Sequence, residues 1–418
     1  MKDIKELREK INEIDERLAF LYQERMEAAK EIAEYKLTHN LAVLDKKREK
    51  EVLERNLSYI SSEVLKPLYK SFVLEVMNES KAYQHYLSNE IYDDAIIKKG
   101  AINELVKYVN LNRKVMIVAD SGIPSQYIEI VKSQCAYPYV KRFPKGEESK
   151  NIEVYQDILN ALVEAEFTRN DLVIALGGGV TTDLGGFAAS SYMRGIEFVN
   201  IPTTLLAQVD ASIGGKVGID YKGYKNIVGA FHKPLKVIVD VNTLETLDDR
   251  LFLEGISEII KMALTLDKEF YLYLESLSLD EFKENIEYIV NKSISLKSIV
   301  VTSDKQESGL RRVLNYGHTV GHAIESLSNG KLLHGEAVSI GMTYVLDDSI
   351  KERVINLLNR FSLPTSTTLK VEDLLEVIKH DKKKVNTDKF IIIVCKEIGS
   401  FEFVEVTLEE LKEILERR

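Results

Sequence analysis

The sequence predicts a multidomain chain. An all-α, three-helix N-terminal domain covers residues 1–90, an α/β domain on a parallel sheet covers 95–250, and a mainly helical domain covers 251–418. Three observations predict it. The first glycine of the 418 residues is Gly100, so all 22 glycines follow a 99-residue stretch whose one proline is Pro67. Glycine serves tight turns and close backbone approach, and a long stretch without it suits long helices. From 114 to about 245, short apolar runs alternate with helical patterns, as in a parallel α/β sheet. Beyond about 250 the apolar period is mainly helical.

In the first helix, 3–36, Leu7, Ile11, Ile14, Leu18 and Leu21 are spaced four, three, four, three, which makes one apolar stripe. Thr38-His39-Asn40 interrupts it. Asp45 is the expected N-cap of a second helix running to about Tyr59, and Ser61-Ser62 separates a third over 62–87. After Gly100, strands are expected at Lys114–Ala119, Asp171–Leu176, Phe198–Ile201 and Val237–Asp240. A last strand, Phe390–Val394, is expected to pair with Phe401–Val406, and a closing helix to start near Thr407.

Composition narrows the function. A formal charge of −10 argues against a general nucleic-acid binder, which needs a basic surface. Apolar residues at 45% and charged residues at 29% describe a globular chain with a real core. Two cysteines, Cys135 and Cys395, cannot make a disulfide framework, and the first ten residues are charged rather than apolar. A cytoplasmic protein with no membrane span is expected.

In the helical domain, the cations Arg8, Arg25, Lys36 and Arg48 could sit on apolar helix faces, joined by Asp45, Glu49, Ser80 and Gln84. A solvated charged face is the plain alternative. LREKI at 7–11, ERMEAAKEIAEYK at 24–36, D-x-x-R-E at 45–49 and S-x-x-x-Q at 80–84 resemble the all-helical chorismate mutase family. The resemblance implies that Arg8, Arg25 and Arg48 hold the two carboxylates of chorismate. It implies that Lys36 and Gln84 donate to the ether oxygen, Asp45 and Glu49 hold the ring hydroxyl, and Ser80 assists a carboxylate. Such a rearrangement needs no nucleophile, only a frozen conformer and donors aimed at one oxygen. Arg8 and Arg25 lie 17 residues apart on one helix, about 25 Å, so Arg8 is expected from a partner chain. A domain that only senses a metabolite or only dimerises is the rival.

In the α/β part, LGGGVTTDLGGF at 176–187 follows a strand and opens a helix, so its N–H groups could meet a pyrophosphate. A tight strand-to-helix turn would look the same. Asp120 ends the preceding strand, where an acid can bind a ribose hydroxyl or simply cap the turn. Between 201 and 231, Thr203, Thr204, Asp210, Lys216, Lys225 and Asn226 lie near Gly214, Gly215, Gly218 and Gly223, a pattern that suggests an anion site. Three of seven histidines, His318, His322 and His334, fall within seventeen residues. They are a reasonable divalent-metal group, although spacing does not say which of them bind. Glu258, with Lys261 one turn on, is the candidate carboxylate.

Taken together, PKGEESK at 144–150, the glycine run, YMRG at 192–195, IPTTLLAQVDASIGGK, YKN at 224–226, EGISEIIK at 254–261, GLRRVLNYGHTVGHAIE at 309–325 and LHGE at 333–336 resemble 3-dehydroquinate synthase. The resemblance implies a Rossmann-like α/β NAD-binding domain and a mainly α-helical metal-binding domain. Zn2+ or Co2+ would be held by Glu258, His318 and His334. NAD would contact Asp120, Glu147, Lys150, Gly178, Gly179, Val180, Asp183, Thr203, Thr204, Lys216, Lys225, Thr243 and Thr246. Substrate phosphate would meet Lys216, Asn226, Asn315 and His322, with Arg194 reaching it from another subunit. One of Lys382 and Lys383 would also approach it. Lys297 and Arg311 would hold the carboxylate, and Asp210 and Lys261 ring hydroxyls. The implied reaction cyclises a heptulosonate phosphate with loss of phosphate, using NAD without net redox. Arg250 is followed by Leu251, where the family carries an acid. Another sugar-phosphate cyclase and a metal-dependent polyol dehydrogenase are the rivals. The chain thus reads as a fusion of two small-molecule enzymes, working as a homodimer or larger homo-oligomer.

Overall fold

The computed structural model describes residues 3–39, 45–87, 95–304, 307, 309–382 and 389–417. Lys383 and the side chain of Lys382 lie outside that description. The chain divides into two compact units, residues 1–92 with 298–303, and residues 93–297 with 304–418.

The described residues of the first unit include the helices α1 (Ile4–Thr38), α2 (Lys46–Ser58) and α3 (Leu65–Leu87). Asp45 caps α2, its carboxylate accepting from the Arg48 N–H at 2.9 Å, as its sequence position predicts. At 1.5 Å per residue the 35-residue α1 is about 52 Å long and the 23-residue α3 about 35 Å. Ala29 and Ala33, in the second half of α1, are buried. Leu7, Ile11, Ile14, Leu18 and Leu21, in the first half, are 41% to 58% exposed. The apolar stripe is a true helix face, but α1 outruns the helices that could cover it.

The second unit opens with a six-stranded parallel sheet. Its strands are β1 (Ala95–Ile97), β2 (Lys114–Asp120), β3 (Tyr137–Phe143), β4 (Leu172–Gly177), β5 (Glu197–Pro202) and β8 (Lys236–Val239), in the order β1-β8-β5-β4-β2-β3. Period-two alternation sends Val115, Ile117 and Ala119 of β2 to one face, against Tyr127, Ile128 and Val131 of α4 (Ser125–Ser133). Met116 and Val118 go to the other, against Ile158 and Leu162 of α5 (Ile152–Glu164) and Leu184 of α6 (Gly179–Ser191).

Two strands escape the sequence pattern. β1 is three residues long, and β3 is an edge strand carrying Pro138, Lys141 and Arg142. The lysine–glycine segment of the suggested anion site forms an antiparallel hairpin, β6 (Lys216–Tyr221) and β7 (Tyr224–Phe231). It lies on α6, where a Cβ at Gly186 would sit 2.4 Å from Val217.

The remainder is helical: α7 (Asp249–Leu266), α8 (Lys268–Ser276), α9 (Leu279–Glu284), α10 (Ile286–Ser303), α11 (His318–Leu327), α12 (His334–Tyr344), α13 (Asp348–Arg360) and α14 (Val371–Lys382). The terminal strands β9 (Lys389–Val394) and β10 (Glu402–Thr407) pair antiparallel. Thr407 then caps α15 (Leu408–Glu416) with a capping box. Among the described residues no helix is long and apolar enough to cross a membrane.

Candidate functional site

In the first unit, α1 and α3 bring four of the eight candidate residues together in pairs. Arg25 donates to Ser80 Oγ and, at 3.3 Å, to the Val76 carbonyl. Lys36 donates to Gln84 Oε1 at 3.4 Å. Ser80 and Gln84 are buried, so these donors work in a partly desolvated cleft. Glu49 on α2 pairs with Lys81 of α3 at 2.7 Å, a lysine that the sequence reading did not single out. Arg48 pairs with Glu51 at 3.6 Å on an exposed surface. Arg8 lies near the start of α1, 17 positions from Arg25 on one unbroken helix.

In the second unit, the strand order reverses between β2 and β4, since β3 flanks β2 on one side and β4 on the other. Ligands of open α/β sheets bind in the crevice at the carboxyl ends of such strands. Asp120 ends β2, and Gly178 joins β4 to α6. Thr181 of α6 donates to Asp120 at 3.0 Å across that crevice, and Asp120 also accepts from the Gly122 N–H at 2.7 Å. Asp120 is therefore both a local cap and a wall of the crevice. Thr203 and Thr204 follow β5, and a Cβ at Gly178 would meet Thr204 at 3.1 Å. The β4–α6 turn thus leaves little room for a side chain at Gly178. Lys150 pairs with Asp183 on α6 at 2.5 Å, and Val180 is half-buried in the same first turn. Thr243 and Thr246 belong to a short helical turn after β8; Thr243 Oγ1 donates to the Asp240 carbonyl at 2.7 Å, and Thr246 Oγ1 lies 3.2 Å from the Tyr127 hydroxyl.

Three helices build the metal candidate. Glu258 lies in the middle of α7, wholly buried, with Lys261 of the same helix as its ion partner. Neither carboxylate oxygen has a hydrogen bond. His318 Nε2 lies 3.6 Å from Glu258 Oε1, and His334 Nε2 lies 3.9 Å from that atom. The Tyr316 carbonyl is 3.0 Å from His318 Nδ1. A carbonyl only accepts, so Nδ1 carries the proton and the Nε2 lone pair faces Glu258. His334 Nδ1 lies 3.3 Å from Glu325 Oε2, with the same consequence. The three imidazoles of His318, His322 and His334 also bring ligand atoms within 4.8 Å of one another. His318 is held well below the usual imidazole range, first by burial and then by Lys261, so it stays neutral. His322, more exposed, falls to about 4 through desolvation in the cleft and the neighbouring His334.

The substrate candidates adjoin this centre. Lys297 on α10 donates to Asp210 Oδ1 and to its carbonyl, both at 2.6 Å. Burial opposes charge on Asp210, but Lys297 and Lys261 outweigh it and hold the carboxyl below its usual range. Arg311, almost wholly buried, donates to the Gly214 carbonyl at 3.2 Å. Lys216 pairs with Glu307, and Asn315 donates to the same carboxylate at 2.7 Å. Two expected phosphate contacts therefore already hold an internal anion, which the sequence reading missed. Lys225, expected at the cofactor, lies 2.6 Å from Glu325 on α11 and 4.0 Å from Glu147. Asn226 has a positive φ of 52° and donates its N–H to Asp220 at 2.7 Å. Arg194, with φ 67°, ends a short turn after α6. Arg250 makes a two-oxygen pair with Glu336 at 2.7 Å, an acid contributed by α12.

Comparison with known proteins places the chain in a family. Residues 140–254 match the family "3-dehydroquinate synthase N-terminal", residues 255–384 "3-dehydroquinate synthase C-terminal", and residues 7–85 "Chorismate mutase type II". A 3-dehydroquinate synthase of Campylobacter concisus is 43% identical over 311 residues, covering 72% of this chain and 89% of the relative. One from Thermoanaerobacter sp. (strain X514) is 39% identical over 356 residues, covering 81% and 98%. Among solved structures, a 2-deoxy-scyllo-inosose synthase complexed with carbaglucose-6-phosphate, NAD+ and Co2+ superposes with a TM-score of 0.70 at 25% identity, over 77% of this chain and 96% of that one. A 2-epi-5-epi-valiolone synthase from Streptomyces hygroscopicus subsp. jinggangensis, with NAD+ and Zn2+ bound, gives 0.72 at 26% identity, over 78% and 97%.

Proposed function

The chain belongs to the 3-dehydroquinate synthase family, with a type II chorismate mutase domain ahead of it, and on that premise we propose how its residues divide the work. It is a bifunctional enzyme of aromatic amino acid biosynthesis. As a lyase it closes 3-deoxy-D-arabino-heptulosonate 7-phosphate to 3-dehydroquinate with release of phosphate. As an isomerase it converts chorismate to prephenate. The domain limits are 1–90, 95–250 and 251–418, and the cytoplasm is its compartment.

The observation that carries the lyase assignment is Glu258, a buried carboxylate without hydrogen bonds, facing the Nε2 atoms of two imidazoles whose other nitrogens are engaged. That donor set fits a divalent ion such as Zn2+ or Co2+. Glu258, His318 and His334 would hold it, and His322 would face substrate. When bound, the ion polarises a substrate oxygen and NAD serves as a hydride acceptor restored within each cycle. NAD would lie over the β2–β4 crevice, with its pyrophosphate against Gly178 and Gly179 at the positive end of α6. Val180, Thr203, Thr204, Thr243 and Thr246 would surround it, with Asp120, Glu147, Lys150 and Asp183 as its polar partners. Lys216, Asn226, Asn315 and the Arg194 of a second subunit would receive the phosphate, displacing Glu307. Lys297 and Arg311 would hold the carboxylate, and Asp210 and Lys261 ring hydroxyls. Lys297 and Asp210 are already paired before substrate arrives, whereas Lys216 and Asn315 must first release Glu307.

In the mutase, Arg25, Arg48 and Ser80 would hold carboxylates, while Lys36 and Gln84 would meet the ether oxygen. Asp45 and Glu49 would hold the ring hydroxyl. Arg8 cannot reach that substrate from the same helix. The exposed Leu7, Ile11, Ile14, Leu18 and Leu21 beside it support a homodimer in which each Arg8 completes its partner's site.

The test is incubation with the heptulosonate phosphate and substoichiometric NAD, with and without chelator. Phosphate should be released over many turnovers per NAD, without reduced nicotinamide, and chelator should stop it. Accumulation of reduced nicotinamide without phosphate would mean a polyol dehydrogenase and would overturn the assignment.

A further inference from the structure

We propose that Glu325 is a positioning residue for the metal centre, fixing the tautomer and aim of His334, and that Lys225 holds Glu325 in place for that task. The proposal rests on the metal-centre reading above. Glu325 and His318 are seven residues apart on α11, two helical turns, so both project from one face. Glu325 Oε2 is 3.3 Å from His334 Nδ1, and its Oε1 is 2.6 Å from Lys225 Nζ. The carboxylate is largely enclosed, with 12% side-chain exposure.

Chemistry explains the arrangement. A ligand imidazole must present one lone pair, and a carboxylate on its other nitrogen settles which one and strengthens it as a donor. His318 meets the same need with a backbone carbonyl, which comes with the fold and cannot be lost by substitution. His334 meets it with a side chain. Each carboxylate of the centre has its own lysine, Glu258 with Lys261 and Glu325 with Lys225. Lys225 comes from β7 and also lies 4.0 Å from Glu147, at the cofactor side. Lys225, which the sequence pattern places near a bound anion, here also serves an anion of the protein itself.

The experiment uses the full chain, stripped of metal, with zinc affinity read by competition against a chromophoric chelator and site geometry by the Co2+ absorption spectrum. Glu325→Gln should weaken zinc by roughly 10–100-fold, the usual effect of losing such an outer partner, with an altered cobalt spectrum and unchanged NAD affinity. Lys225→Met should weaken zinc in the same direction but less. Wild-type zinc affinity and cobalt spectrum in Glu325→Gln would overturn the proposal. If that variant does not fold, the half-exposed Lys225→Met carries the test, and unchanged zinc affinity in it overturns the proposal. Failure of the wild type to bind one equivalent of zinc would instead sink the metal-centre reading.

Discussion

Glu258 and Lys261 form a buried ion pair one turn apart on α7. Breaking such a pair on one side leaves a charge uncompensated, at about 3–5 kcal/mol. Glu258→Gln is therefore expected to lose more than about a hundredfold in zinc affinity and to lower the melting temperature of the metal-free protein. Equilibrium dialysis and a melting curve check both, and a wild-type zinc isotherm would contradict the ligand role. Four residues earlier, buried Glu254 accepts from the Gly335 N–H at 3.4 Å. Burial, the largest influence, raises its carboxyl to about 7, with that N–H pulling the other way. The unfolded chain ionises the group near 4.5, so the folded state keeps the proton longer. Its contribution is intact below about 4.5 and falls as pH rises, by up to about 3 kcal/mol above 7. Metal-free Glu254→Gln should therefore unfold at higher denaturant than wild type near pH 8, and at nearly the same concentration near pH 5. A difference independent of pH would refute this. Glu254 was not singled out in the sequence, although it lies four residues before Glu258 on the same helix face.

The site depends on how closely α7 and α12 approach. A Cβ at Gly335 would lie 2.1 Å from the Glu254 carbonyl oxygen and 2.7 Å from Ser257 Oγ. One at Gly341 would lie 2.2 Å from the Gly317 carbonyl, where α12 crosses the start of α11. Backbone at those distances cannot yield as a side chain can. Gly335→Ala should push His334, its neighbour, away from Glu258. A stability loss of at least about 1–3 kcal/mol is expected, together with weakened zinc binding; a crystal structure with helices in place would contradict it. The β4–α6 turn and the closing β9–β10–α15 segment were legible because their apolar runs and caps are local. The β6–β7 hairpin was not, because its glycines serve cross-strand packing, at Gly218 opposite Gly229, which the spacing along the chain does not reveal.

For the whole molecule, the two activities should separate by substitution. Arg25→Ala is expected to abolish prephenate formation and leave phosphate release intact, while Glu258→Gln should do the reverse. Paired assays on each full-length variant check this, and loss of both activities in either would show that the halves depend on one another. Chorismate and dehydroquinate are not consecutive in the chemistry described, so the fusion suits control of flux better than transfer of an intermediate. Chorismate or prephenate should therefore change the rate of phosphate release, and a rate indifferent to both would end that expectation.

The sequence alone determined the helix-then-sheet-then-helix order, the identity of the histidine group and the family motifs. All of these are written in short-range periodicity and in residue types close along the chain. Only the tertiary structure decided which nitrogen of each histidine faces Glu258, that Lys225 serves Glu325, and that Glu307 rests between Lys216 and Asn315. Apart from the Tyr316 carbonyl, two residues before His318, those contacts join residues that are 8 to 100 positions apart. Their partners are selected by the packing of whole helices and strands, a long-range property that no local pattern records.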